Sequence, residues 1–163
     1  MTTLIGTANG VFVCQPDGAC APARGLEERG VRHLGRIDGQ VFAGADDGLY
    51  RSADGGRSWQ PSGLSGRIVW DLQAAPADAR TLYVVTEPAA LFVSRDGGHA
   101  WVEVESFRRA PGAERWCVPL TPPQPGRART LVIDREQPDR WLVGVEVGGV
   151  IATEDGGRSW TSA

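Results

Sequence analysis

Apolar residues in this chain come in short runs, and each run is closed within a few positions by Gly, Pro, Asp or Asn. Runs of four to eight residues bounded by turn formers predict β-strands. A first copy over residues 3–24 holds Leu4-Ile5-Gly6-Thr7 and Val11-Phe12-Val13-Cys14 around the tight turn Ala8-Asn9-Gly10. A second over 31–60 predicts strands at about 31–37, 40–44, 48–52 and 57–60. A third over 68–104 predicts 68–74, 81–86, 90–94 and 99–104. A fourth over 129–162 predicts 129–134, 141–146, 149–153 and 158–162. No apolar period of 3.6 persists between the breaks, so no helix is expected.

One phrase closes each of the last three copies: a hydroxyl residue, any residue, Asp-Gly-Gly, two residues and Trp. It is carried by Ser52, Asp54, Gly56 and Trp59; by Ser94, Asp96, Gly98 and Trp101; and by Thr153, Asp155, Gly157 and Trp160. Asp-Gly between apolar runs is a strong hairpin signal. The Asp carboxylate accepts from backbone N–H groups just downstream, and the glycines supply positive φ. The Trp lies where its ring covers the hairpin. Turn chemistry therefore accounts for every position, and these twelve residues are expected to be structural. Gln15-Pro16-Asp17-Gly18 occupies the same place in the first copy, without the Trp.

The phrase resembles the Asp-box, or bacterial neuraminidase repeat, of sialidases, some xyloglucanases, sortilin-type receptors and photosystem assembly factors. That resemblance implies an all-β fold, a β-propeller whose boxes lie between the third and fourth strands of each blade, away from any catalytic site. Four strands per repeat of about 40 residues also suit a propeller blade. About four blade-like repeats in a single domain over 1–163, the first incomplete, resemble the N-terminal half of such a propeller. Its end blades would then expose apolar faces, inviting self-association that completes the ring.

Composition trims the functional choices. The net charge is −3, which argues against nucleic acid or an anionic membrane as partner. All 17 basic residues are Arg, which fits a GC-rich coding bias. No basic-then-apolar leader opens the chain and no apolar run approaches a bilayer span, so a cytoplasmic location is expected. Cys14 and Cys20 flank the first turn and could pair; for a cytoplasmic protein reduced thiols are expected. No metal site and no cofactor motif appears among the residues.

Candidate chemistry falls on the turns between second and third strands. Glu87 and Glu146 each precede a third strand by three residues, and could form an acid/base pair, hold a cation, or cap turns. Asp46 and Asp47 share that rim. The insertion 105–128 brings Arg108, Arg115 and Trp116, a cationic and aromatic tip suited to a carbohydrate or acidic ligand, or else a plug between blades. His33 and Trp70-Asp71 fall on first strands; His33 is a candidate base or a structural residue. The arginine triad and the tyrosine–glutamate nucleophile that the sialidases use have no counterpart here. The reading is a binding or scaffold module for a carbohydrate or protein ligand. Its alternatives are a glycosidase using Glu87, Glu146 and the Arg115-Trp116 loop, and a self-associating half-propeller.

Overall fold

The computed structural model describes residues 2–163, and among them there is no α-helix. The chain divides into two compact units, Met1–Val69 and Trp70–Ala163.

In the first unit β1 (Thr3–Thr7), β2 (Gly10–Cys14) and β3 (Cys20–Pro22) form a three-stranded meander. The next four strands, β4 (Val31–Ile37), β5 (Gln40–Ala45), β6 (Gly48–Ser52) and β7 (Gln60–Gly63), form a four-stranded one. Within both meanders the strands pair antiparallel, and an isolated parallel bridge joins Arg24 to Ser58. β1 lies on β4, so closely that a Cβ at Gly6 would come within 2.8 Å of Val31. Val11, Val13, Leu26, Val41, Ala43, Tyr50 and Trp59 make the core of this unit.

The chain passes between units inside β8 (Ile68–Ala75). The second unit pairs β8 with β9 (Asp78–Glu87), β10 (Ala90–Ser94) and β11 (Val102–Glu103) in one meander. β14 (Arg127–Ile133), β15 (Trp141–Glu146), β16 (Gly149–Thr153) and β17 (Thr161–Ser162) form another. Its core joins Val85, Leu91, Leu131, Trp141, Val143, Ile151 and Trp160. Alternation in β15 buries Trp141, Val143 and Val145 and leaves Leu142 exposed, as a sheet covered on one face requires. Val41–Ala45 in β5 is buried without a break, so both faces of that strand are covered.

Two expectations are corrected. The fourth strands start later than predicted, at Gln60, Val102 and Thr161, because the corner aspartates take the backbone N–H groups that would have begun the ladder. Cys14 and Cys20 are joined in a disulfide, with S–S 2.07 Å, rather than reduced. The β2–β3 register sets them directly opposite, and the turn is closed by Gln15 N–H donating to the Ala19 carbonyl at 2.8 Å. The insertion has structure of its own. It contains two 3₁₀ turns, Glu105–Arg109 and Ala113–Arg115, and a short hairpin of β12 (Cys117–Val118) and β13 (Gln124–Pro125).

Candidate functional site

The Asp-Gly-Gly corners sit between the third and fourth strands of their sheets and are fully engaged with their own backbone. Asp54 Oδ1 accepts from the N–H groups of Arg57 and Ser58, both at 2.9 Å, and from Ser52 Oγ at 2.7 Å. Ser52 Oγ in turn accepts from Gly56 N–H at 2.8 Å. The same bonds recur around Asp96 with Ser94, Gly98, His99 and Ala100. They recur again around Asp155 with Thr153, Gly157, Arg158 and Ser159. Hydroxyl donation from Ser58 and Ser159 holds the Asp54 and Asp155 carboxyls far below the usual range; Asp96 is lowered mainly by the Ala100 N–H. The carboxylates are thus spent largely on their own turns. Gly56 and Gly157 must lack a side chain as well as turn at positive φ, since a Cβ would meet Leu4 at 2.6 Å and Trp141 at 2.7 Å.

The opposite end of each four-stranded sheet carries a second repeated device. A donor on the first strand reaches a carboxylate that ends or follows the second. Arg32 Nε donates to Asp46 at 2.7 Å, Trp70 Nε1 to Glu87 at 3.3 Å, and Arg129 Nε to Glu146 at 2.7 Å. Arg32 and Arg129 are both stepped over in the strand register, between Val31 and His33 and between Ala128 and Thr130. Such bulges redirect a side chain. In the second unit the device is doubled. Arg127 bridges the two glutamates, with Nε 3.0 Å from Glu87 and Nη1 3.4 Å from Glu146. The Arg129 guanidinium stacks on the Trp70 ring at 4.0 Å. Glu87 and Glu146 therefore converge, but through guanidinium groups. The Arg129 hydrogen bond comes first among the causes that hold Glu146 below the ordinary carboxylate range. Beneath this cluster Asp71, buried, accepts from Leu131 N–H at 2.9 Å and ties β8 to β14.

The remaining predicted residues separate. Asp47 accepts from the buried Tyr50 hydroxyl at 3.0 Å and pairs with Arg29 at 2.8 Å, so it closes its own rim. Arg108 forks onto Glu103. Arg115 is 81% exposed and only loosely paired with Glu114 at 3.6 Å. Trp116 is half-buried and packs on Phe107 with ring centroids 5.1 Å apart, joining the core of the second unit. The His33 ring lies against Gly35, where a Cβ would stand 2.9 Å from Nε2.

Arg127, Arg129 and the partnership of Trp70 with Glu87 escaped the sequence reading. A signal was present: Arg32-His33-Leu34, Trp70-Asp71-Leu72 and Arg129-Thr130-Leu131 align on a leucine. Their acidic partners follow the donors by 14, 17 and 17 residues. It was hidden because no local rule links a first-strand arginine to the far end of the next strand.

No protein-family model matches the chain, and no curated protein does. Solved structures do. An ancestral GH74 enzyme superposes with a TM-score of 0.73 at 15% identity, over 99% of this chain and 22% of that one. The extracellular domain of a proposed one-component system from B. thetaiotaomicron gives 0.70 at 15%, over 98% and 20%. YCF48 bound to D1 peptide gives 0.62 at 13%, over 98% and 49%. This chain thus spans between a fifth and a half of the structures it resembles, and at such identities the likeness establishes the fold alone. The protein is all-β, with the four-stranded meanders of a β-propeller.

Proposed function

We propose that the chain is a non-catalytic binding or scaffold module of the Asp-box propeller type. Its partner surface lies on the rim of turns between second and third strands, where a carbohydrate or protein ligand docks. The state of Glu87 and Glu146 carries this reading. Glycoside hydrolysis needs one carboxyl group kept protonated by a raised pKa, beside a second left free. Here both carboxylates are engaged by Arg127, and Glu146 is shifted downward. Ion-paired carboxylates of this kind shape a polar surface rather than move a proton. On a panel of aryl glycosides, turnover at the buffer blank is expected. Turnover that disappears in Glu146→Gln would replace this reading with a glycosidase, the alternative favoured by the convergence of the two glutamates and by the GH74 likeness.

Self-association is supported by a separate feature. Val132 and Leu142 are register partners, and Val150 stands on the same exposed face of β14–β16. A single monomeric species in sedimentation would remove that reading.

A further inference from the structure

Indole N–H groups elsewhere donate within the protein: Trp59 to the Gly56 carbonyl, Trp70 to Glu87, Trp141 to the Pro138 carbonyl and Trp160 to Ser106. Trp116 does not; its Nε1 meets no acceptor among the described residues. The ring is nevertheless fixed. It packs on Phe107, a Cβ at Gly126 would come within 2.8 Å of its Cβ, and one at Gly148 within 2.7 Å of Nε1. The half-buried ring therefore keeps its N–H available to a ligand or to water.

That indole edge lines a cavity of about 190 Å³ with Pro111, Arg115, Val147, Gly148 and Ser162. Its lining residues with polar side chains are Arg115, Trp116 and Ser162, and none of its lining residues is acidic, the nearest carboxylate on Arg115 being that of Glu114 at 3.6 Å. Guanidinium and indole can only donate, and the hydroxyl can do so. Val147, on the rim, holds φ +66°, a left-handed conformation that β-branched residues rarely adopt. Strain of that kind clusters at ligand sites.

We propose that this cavity is a carboxylate-binding pocket, in which Arg115 grips the two oxygens and Trp116 Nε1 and Ser162 Oγ orient them. Pro111 and Val147 supply apolar walls for the carbon next to the carboxylate. The volume suits one small acid or one acidic group of a larger ligand, not an extended sugar chain. The assignment rests on the binding-module reading and names the ligand chemistry of the insertion's side of that rim.

The test is an NMR titration of the intact chain, read at the Trp116 indole N–H cross-peak. N-acetylglycine stands for a peptide chain end and propionate for a side chain or free acid; acetamide is the neutral control. A saturable shift on the order of millimolar affinity is expected with both acids and none with acetamide. Arg115→Gln should weaken binding at least tenfold, and because Arg115 is exposed the variant keeps its fold, checked by an unchanged spectrum elsewhere. A response to N-acetylglycine alone identifies a chain end as the source, and one to propionate alone a side chain or free acid. No saturable shift with either acid, or an equal shift with acetamide, overturns the pocket. Glycoside turnover is measured separately: its appearance would sink the non-catalytic reading, whereas a silent cross-peak with no turnover sinks the pocket alone.

Discussion

Two corners of this protein have the same six residues, Asp-Gly-Gly-Arg-Ser-Trp, at 54–59 and 155–160. Their carboxylate networks superimpose bond for bond, yet their tryptophans end differently. Trp59 Nε1 donates to the Gly56 carbonyl at 3.0 Å, closing the corner on itself. Trp160 Nε1 donates instead to Ser106 Oγ at 3.1 Å, and Ser106 donates onward to the Gly157 carbonyl. A hydroxyl from the insertion has been threaded between ring and carbonyl. Beside it, Phe107 packs its ring 5.1 Å from Trp160. The second corner is therefore also the anchor of the insertion that carries Arg115 and Trp116, whereas the first holds the segment after β3, with Arg24 N–H donating to the Arg57 carbonyl and Trp59 N–H donating to the Arg24 carbonyl. Identical local chemistry acquires a second role from what the fold brings next to it.

The most damaging way to break this comparison is to remove the rings. Trp160→Ala is expected to cost about 3–5 kcal/mol, as for large aromatic truncations in cores, measured by denaturant unfolding. It should also expose the insertion to protease, because Trp160 contacts Trp141 and Phe107 together. Trp59→Ala should lose comparable stability while the insertion stays protected. Equal protease sensitivity in the two variants would refute the anchoring role.

A smaller effect isolates the inserted hydroxyl. Ser106→Ala deletes the bridge between Trp160 and Gly157 and should cost about 1 kcal/mol, the net worth of a typical hydrogen bond. The Trp160 indole resonance should move and that of Trp59 should not. A shift at Trp59 would show that the variant disturbs more than the bridge.

The smallest change sharpens the comparison using the middle corner. Asp96 lacks the hydroxyl that Ser58 and Ser159 give to their aspartates, because position 100 is alanine. Ala100→Ser should raise Tm by about 1–2 °C. All three corner carboxyls titrate lower folded than unfolded. Their contribution is complete above the unfolded value, near pH 4, and is lost as pH falls through the folded value. The added hydroxyl should lower the folded value of Asp96 further, so the gain of Ala100→Ser should persist at neutral pH and shrink on strong acidification. A gain that grows as pH falls would contradict the carboxylate as its cause.

The amino-acid sequence by itself determined the corners and the strands that meet there. Asp54, Asp96 and Asp155 bond groups within four residues of themselves, and glycine turns and alternating apolar runs are equally local, so sequence rules could reach them. The convergence of Glu87 and Glu146 was also legible, from their matching positions before a third strand. Only the tertiary structure decided what those carboxylates do. Arg127 and Arg129 reach them from a neighbouring strand, and Asp71 finds Leu131 across 60 residues of chain. It likewise decided that Trp116 packs inward while keeping its N–H toward a cavity. Such partners are chosen by packing between strands distant in sequence, where spacing along the chain carries no record of which side chain will arrive.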